Sequence, residues 1–401
     1  MIDLANLRGW WWRRQGLDGS LKGATAAEIL AKTGWARSVA GANPYLTLFA
    51  RGGLSRGEVD AQVAAVNIHE LPTARGCTYV LPAADYALGL KVGERFGDAA
   101  ATKTAVKFLG VTHEEIERLC ENVLLALGGG PLDPKDLKTA VGDAVRHLGE
   151  EGKKRGQTTT LSLATGRLQS LGQIRRVPVS GRLDEQRYRY ALWPDSPLAS
   201  FDLDLDTAFT ELARRYFRWT GPASPAHFQW FSGLGVGAAK AAMQPLALRP
   251  IEPGSSLLLL EEDWDEWEAT TAPTSPSVAL VSALDAVLLL RRDPEPLIDA
   301  VDRARPIVGE KGPREVGGVA DLSNNAILDR GRLIGLWEYD PVAQEIAWYT
   351  FSPTTPEVAQ AVSETAGYIR EQLGDARSFS LDSPQSRAST IAAIRKLAAQ
   401  D

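Results

Sequence analysis

The sequence of 401 residues predicts an α+β fold built from small units that recur along the chain. Amphipathic helical patterns are followed by short alternating apolar runs, and runs typical of longer strands are concentrated towards the C-terminal end. These patterns divide the chain into four predicted regions, 1–130, 131–195, 196–275 and 276–401. The order helix, turn, helix and hairpin predicts tandem winged-helix units over the first three regions, with an added C-terminal β-rich element that closes with helices.

The second region shows the pattern most clearly. A helix is expected over 134–148, because Asp133 can cap it, Pro134 fits its first turn and its apolar residues share one face. A glycine-rich turn precedes a second helix over 158–171. Alternating runs on either side of Ser180 and Gly181 then predict a hairpin, which is the wing of a winged helix.

Strands are also predicted elsewhere. β-branched and aromatic residues favour strands over 77–81, 255–261, 278–291, 331–349 and 378–381. The strands within 331–349 are expected to pair across residues 340 and 341. The acidic stretch 261–268 (EEDWDEWE) is expected to be a solvated turn.

Positive charge is concentrated in the second region. Residues 153–193 carry nine Lys or Arg and two acidic residues, a charge of +7, in a chain of net charge −6, which leaves about −13 for the rest. A basic patch on an acidic protein is typical of binding to a phosphate backbone. The predicted contacts come from basic side chains and from hydroxyls at a helix start, where the dipole favours phosphate: Lys153, Lys154, Arg155, Thr158, Thr159, Thr160, Arg167, Arg175 and Arg176. The alternative is a winged helix with a solvated face that docks proteins.

Composition argues against several classes of protein. The longest apolar runs are far too short for a membrane span, and the N-terminus lacks the pattern of a secretory signal, so a cytoplasmic protein is expected. Cys77 and Cys120 are expected to be reduced and buried, and four scattered His show no metal-ligand spacing. We therefore expect neither a metal nor another cofactor. A monomer is expected, since no dimerisation helix stands out. Trp10–Trp12 could form an aromatic platform for bases or pack in the core.

Five segments resemble, in order, the AlkZ-like (YcaQ-type) family of winged-helix DNA glycosylases. They lie at 44–51 (PYLTLFAR), 73–88 (TARGCTYVLPAADYAL), 220–234 (TGPASPAHFQWFSGL), 283–293 (ALDAVLLLRRD) and 329–340 (DRGRLIGLWEYD). The resemblance implies tandem winged helices with an added β-barrel-like element. It also implies binding of damaged duplex DNA and removal of alkylated or crosslinked purines by hydrolysis of the N-glycosidic bond, without a cofactor.

The chain departs from this family at the catalytic motif. Catalytic members carry Gln-x-Gln or Gln-x-Asp shortly before the segment that matches 45–51, and this pair positions and activates a water molecule. Here 34–45 reads GWARSVAGANPY, and ungapped counting places Arg37 and Val39 at the two positions. Valine cannot accept a proton and arginine stays protonated. Sliding the match offers Asn43, which could orient water or could instead cap the following helix.

A carboxylate could take over part of this role. Loss of an alkylated purine passes through a cationic sugar, which a nearby carboxylate or amide would stabilise. The candidates are Asp85, Glu70 and Asp285. Their alternative roles are a helix cap for Asp85, a surface position for Glu70, and for Asp285 an ion pair with an arginine of 291–292. Asn43 and Asp85 are the predicted catalytic residues.

Arg75 and Gly76 are a predicted binding element. The resemblance implies that this Arg-Gly pair leads into a strand beside the cleft, where glycine permits close approach and arginine can bind phosphate. A core salt bridge is the alternative for Arg75. Three functions remain open: a repair glycosylase, a DNA-binding protein without activity, or a winged-helix scaffold for protein or small ligands.

Overall fold

The computed structural model describes residues 3–96, 98–309 and 312–400. It combines helices with several small antiparallel sheets, so the predicted α+β class is confirmed. Among the described helices, none is long and apolar enough to cross a membrane.

The N-terminal part places five helices around a three-stranded sheet. The helices are α1 (Leu4–Arg14), α2 (Ala26–Thr33), α3 (Asn43–Gly52), α4 (Arg56–Ala64) and α5 (Tyr86–Gly93). The strands are β1 (Ala36–Arg37), β2 (Ile68–Pro72) and β3 (Thr78–Pro82), in the order β1-β3-β2. Capping boxes that pair Thr25 with Glu28 and Ser55 with Glu58 begin α2 and α4. Cys77 lies just before β3, so its predicted place in the strand is wrong, and it packs half-buried against a hydrophobic core rather than being fully buried.

The next part is helical and ends in a hairpin. Its elements are α6 (Asp98–Phe108), α7 (His113–Leu127), α8 (Pro134–Val141), α9 (Gly149–Lys154), α10 (Leu161–Ser170), β4 (Ile174–Pro178) and β5 (Tyr188–Leu192). The hairpin is as predicted, but the helix expected over 134–148 ends at Val141. Gly142 has φ +61°, which stops the helix, and the chain then extends so that His147 pairs with Thr159. The glycine-rich turn contains the short helix α9.

The third part repeats helices before a hairpin. It consists of α11 (Leu205–Thr220), α12 (Pro225–Ser232), α13 (Val236–Met243), β6 (Leu248–Pro250), β7 (Leu258–Leu260) and α14 (Trp264–Glu268). The strand expected over 255–261 is only three residues long. The acidic stretch is mostly exposed, as predicted, but it forms a 3₁₀ turn followed by the short helix α14.

The C-terminal part contains the largest sheet. Its elements are β8 (Val278–Val281), α15 (Ala286–Leu289), β9 (Pro306–Gly309), β10 (Gly312–Glu315), β11 (Asn325–Asp329), β12 (Arg332–Asp340), β13 (Glu345–Thr350), α16 (Pro356–Tyr368) and α17 (Pro384–Ala398). The sheet has the order β13-β12-β11-β8, and β12 pairs with β13 as predicted. Two predictions are wrong. The run 278–291 is a strand followed by a helix, because Asp285 caps α15, and 378–381 is a turn rather than a strand.

One hydrophobic core lies within a single stretch of chain, whereas the others join distant segments. The core around α7 and α10 is drawn from residues 105–190. By contrast, α1 packs with β11, β12 and α17. Trp10, Trp11 and Trp12 are each 1% exposed in that core. Their core role is therefore confirmed, and an aromatic platform for bases is excluded.

Candidate active-site cleft

A cleft of about 540 Å³ lies between the sheet β1-β3-β2 and the hairpin β4-β5. Its sheet side presents Arg37, Ser38, Glu70, Gly76 and Thr78. Its hairpin side presents Arg176, Pro178, Tyr188 and the connecting loop. A second cavity of about 180 Å³, next to α10, is also lined by Glu70, Thr78 and Arg176. These three residues therefore lie at the boundary of two cavities.

A larger cavity lies elsewhere but offers less chemistry. It has a volume of about 610 Å³ and lies beside β13 and the end of α17. Arg305 is the one acidic or basic residue in its described lining. The cleft, which combines carboxylates with arginines, is the better candidate for an active site.

Strand pairing brings Ser38 and Glu70 together. Ala36 of β1 and Glu70 of β2 both lie opposite Val80 of β3, on its two sides. Ser38 follows β1, and its backbone N–H donates to the Thr78 carbonyl at 3.0 Å. The hydroxyl of Ser38 then donates to Glu70 Oε1. Because side chains alternate along a strand, Glu70 faces the cleft while its neighbour His69 is buried.

Arginines surround this carboxylate. Burial raises the pKa of Glu70, and the hydrogen bond from Ser38 and the charges of Arg176 and Arg37 oppose that rise. Arg37 donates to the Thr78 carbonyl at 2.6 Å and to the Ser38 carbonyl at 3.0 Å. Arg176 stacks over Tyr188 at 4.6 Å, and its buried Nε has no hydrogen-bond partner among the described residues.

The loop of the hairpin closes the far side of the cleft. Leu183 is 3% exposed, and its backbone N–H donates to Tyr45 Oη at 3.0 Å. Arg182 forms an ion pair with Asp184 and donates to the Leu373 carbonyl. Leu183 and its neighbours in this loop are therefore packed against α3 and the segment after α16, whereas Val179 and Ser180 are exposed. The strands of the hairpin line the cleft, and the contact of the wing with phosphates stays a prediction.

The two predicted catalytic residues occupy different places. Asn43 is 1% exposed and lies behind the cleft, where Nδ2 donates to the Arg37 carbonyl at 2.8 Å. It is the first residue of α3 and forms no side-chain cap, so the cap alternative is wrong. Asp85 is fully buried in another core, where it accepts from Trp35 Nε1 at 2.7 Å and pairs with Arg215 at 3.1 Å. Asp85 also forms no side-chain cap to α5.

Asp285 forms an ion pair with a different arginine from those expected. Its two oxygens accept from Arg51 at 2.8 Å each, rather than from Arg291 or Arg292, and both partners are buried. Burial alone would raise the pKa of Asp285, but Arg51 holds it below its ordinary value. Arg291 instead stacks over Trp11 at 3.9 Å.

Arg75 and Gly76 lie at the edge of the cleft. Gly76 lines it, and Arg75 is exposed, with its guanidinium 4.3 Å from the ring centre of Trp230. The core salt bridge considered for Arg75 is therefore wrong.

The predicted phosphate contacts divide into two groups. Arg176 lines the cleft, and half-buried Arg175 lies 5.9 Å from the ring centre of Trp193. The remaining predicted contacts lie on or next to α9 and α10: Lys153, Lys154, Arg155, Thr158, Thr159, Thr160 and Arg167. Lys153 and Lys154 are exposed, whereas Thr160 is buried and accepts from the Arg146 N–H.

Two of these arginines already form ion pairs with glutamates. Arg155 pairs with Glu151, and Arg167 pairs with Glu117. Among the described residues, no group of three His, Cys, Asp or Glu side chains could hold a metal ion.

The sequence interpretation missed Ser38 and underrated Glu70. Counting along the absent motif drew attention to Arg37 and Val39, whereas the residue between them contacts Glu70. Alternation in β2 was the available signal, because Glu70 lies between His69 and Leu71, which are buried on the opposite face of the strand.

Comparison with known proteins found a matching family model and similar solved structures. The family model described as DNA glycosylase AlkZ-like matches residues 34–372. The structure of the DNA glycosylase AlkZ from Streptomyces sahachiroi is similar with a TM-score of 0.68 and 19% identity. The similarity covers 94% of this chain and 98% of that one. A search of curated proteins found no match.

Proposed function

Because this chain belongs to the AlkZ-like DNA glycosylase family, we propose that it binds damaged duplex DNA and hydrolyses the N-glycosidic bond of an alkylated purine. The observation that carries the proposal is the cleft, in which one half-buried carboxylate, Glu70, is placed among Arg37, Arg176 and Arg182. The proposal includes tandem winged helices over the first three predicted regions and a β-rich fourth region, with the helices before β4 and before β6 as the DNA-facing units.

The size of the cleft supports a nucleotide rather than a duplex as its occupant. A volume of about 540 Å³ is within the range of small-molecule pockets and is far smaller than a double helix needs. Enzymes that cut a base from DNA turn the target nucleotide out of the stack. Arg37, Arg176 and Arg182 would bind its phosphates, while exposed Lys153 and Lys154 would contact the flanking backbone.

The reaction requires mainly that the protein positions the nucleotide and holds a negative charge near its sugar. An alkylated purine is already a cationic leaving group, so the barrier falls when negative charge is held near the developing sugar cation. A carboxylate that faces the cleft supplies that charge. Asn43 would act indirectly, by fixing the Arg37 carbonyl and thereby the loop that carries Ser38.

One assay tests this function. Excess protein is incubated with a duplex that contains a single N7-methylguanine, and abasic sites are then cleaved with alkali. We expect strand scission well above the spontaneous rate, and none above background in an undamaged duplex. Scission equal to that of a protein-free control would contradict the glycosylase proposal for this lesion.

A DNA-binding protein without activity is the second candidate, because Arg37 and Val39 occupy the positions of the family's catalytic pair. A retarded band without scission, with affinity that falls steeply with salt, would favour this candidate. Loss of both scission and binding would favour a scaffold for protein or small ligands.

A further inference from the structure

Glu70 and Ser38 form the polar pair best placed to act on a nucleotide in the cleft. Ser38 donates to Glu70 Oε1, whereas Oε2 accepts no hydrogen bond from the described residues. One oxygen is therefore held in place and the other stays available to a water molecule. We infer that Glu70 is the catalytic carboxylate of this cleft and that Ser38 is its positioning residue, together replacing the absent amide pair; this inference rests on the proposed function.

Other carboxylates of the protein are less suitable. Asp85 and Asp285 are buried against Arg215 and Arg51, outside the cleft lining. Glu185 lines the cleft but is exposed on the connecting loop, 4.0 Å from Arg182. Of these four acidic residues, only Glu70 lines the cleft, is half-buried on a strand and is held by a hydrogen bond from another side chain.

Charged groups on every neighbouring element act on Glu70. Arg37 faces it from the end of β1, Arg176 from β4 and Tyr188 from β5, and Arg182 and Glu185 lie across the same cleft. The arginines favour the ionised carboxylate, and burial disfavours it. The balance raises the pKa of Glu70, as needed for a group that must both attract the sugar cation and accept a proton.

The proposed step balances in atoms and electrons. The oxygen of a water molecule bound to Glu70 Oε2 attacks C1′ of the extruded nucleotide and forms a C1′–O bond. The bond between C1′ and the purine nitrogen breaks, and its electron pair neutralises the positive charge of the alkylated base. The proton lost by the water passes to Glu70 and then to solvent. The products are the free base and an abasic site.

Single-turnover excision of N7-methylguanine tests the assignment. Glu70→Gln keeps the shape but removes the charge and the base, so we expect a decrease of at least about 100-fold. Ser38→Ala keeps the carboxylate but removes the hydrogen bond that holds it in place. The excision rate should therefore decrease about five-fold, as expected for one hydrogen bond. Glu94→Gln removes an exposed carboxylate that pairs with Lys91, and the rate should not change.

The pH profile separates a catalytic role from a structural one. Excision by the wild type should decrease as the pH falls through the pKa of Glu70, because the protonated acid can neither accept a proton nor stabilise a cation. Glu70→Gln should lose this acidic limb while retaining the circular dichroism spectrum and melting temperature of the wild type. Retention of the acidic limb in the folded variant would overturn the assignment.

A second probe does not depend on turnover. Two duplexes carry, in place of the damaged nucleotide, either a cationic pyrrolidine sugar analogue or the neutral tetrahydrofuran abasic analogue. The wild type should bind the cationic analogue at least ten-fold more tightly, as expected for a mimic of the transition state. Glu70→Gln should abolish this preference and leave the affinity for the neutral analogue unchanged.

The outcomes distinguish the two proposals. Excision by the wild type that Glu70→Gln leaves intact overturns the role of Glu70 and retains the glycosylase. No excision by the wild type overturns both for this lesion. A preference for the cation that persists in Glu70→Gln also overturns the assignment, because the charge would then come from another group.

Discussion

Removing one partner of the ion pair between Arg51 and Asp285 should be among the most destabilising single changes in this protein. Their side chains are 0% and 1% exposed, and the two hydrogen bonds between them are each 2.8 Å long. Asp285 also accepts from the N–H of Val287 and from the hydroxyl of Thr47. Asp285→Ala would leave Arg51 charged and without its carboxylate in a dry core.

The magnitude follows from these contacts. Removing one partner of a buried ion pair costs about 3–5 kcal/mol, and losing the cap of α15 adds about 1 kcal/mol. The free energy of unfolding should therefore fall by about 5 kcal/mol in Asp285→Ala. Arg51→Met combined with Asp285→Leu leaves no charge unpaired, so most of this loss should be recovered.

Urea unfolding monitored by tryptophan fluorescence measures the effect. For a slope of about 3 kcal/mol per M, the midpoint of Asp285→Ala should fall by roughly 1.7 M. A matched control is Glu262→Ala, which removes an exposed partner of Arg218 and should change stability by less than about 1 kcal/mol. A loss in Asp285→Ala no larger than in this control, or a double variant no more stable than the single one, would refute the reasoning.

The pH dependence of the stability difference between the wild type and Asp285→Ala gives a further check of the same ion pair. The pKa of Asp285 is lower in the folded protein than its ordinary value of 3.8, so the stability it contributes is present above that pH. This contribution decreases as the pH falls through the folded pKa. The wild type and Asp285→Ala should therefore converge in stability in acid.

Four other substitutions have defined outcomes. Burial raises the pKa of Glu338 from 4.5 to about 7. The stability of the wild type should therefore decrease as the pH rises from 4.5 to 7. Glu338→Gln should raise the melting temperature at pH 8 but not at pH 4.5. Leu183→Asp places a charge at a buried position of the hairpin loop, and limited proteolysis should then cut the loop 179–187 at least several-fold faster than in the wild type. The control Val342→Asp, at an 83% exposed position, should leave the rate of this cut unchanged. Gly41→Ala would bring a Cβ within 2.2 Å of a backbone carbonyl after α16 and should lower stability by about 1–3 kcal/mol. Gly57→Ala, in an open position of α4, should raise stability by up to about 1 kcal/mol.

Secondary structure was predictable where its signals are local. Capping residues and their partners lie three positions apart, as in Thr25 with Glu28 and Ser55 with Glu58, and they set the starts of α2 and α4. The hairpin β4-β5 followed from alternation around a turn. Prediction failed where a backbone angle or a distant contact determined the structure. Gly142 is an example, because its positive φ ends a helix that the apolar pattern would continue.

The candidate site was less predictable, because its residues meet through strand pairing. Ser38 and Glu70 are 32 positions apart and meet because β1 and β2 both pair with β3. The same applies to Asp285, whose partner is 234 positions away rather than in the neighbouring Arg-Arg pair. Asn43 was predicted from the sequence as a residue that could orient water, and only the fold shows that its side chain donates to the Arg37 carbonyl.

The sequence by itself determined the α+β class, most helix starts, the basic segment 153–193 and the family resemblance, because each depends on neighbours along the chain. The tertiary structure alone decided which carboxylate faces the cleft and which is neutralised in a core. The sequence offered three acidic candidates, Glu70, Asp85 and Asp285, and favoured Asp85. Their burial and their arginine partners, which come from distant elements, separate one cleft-facing group from two structural ion pairs.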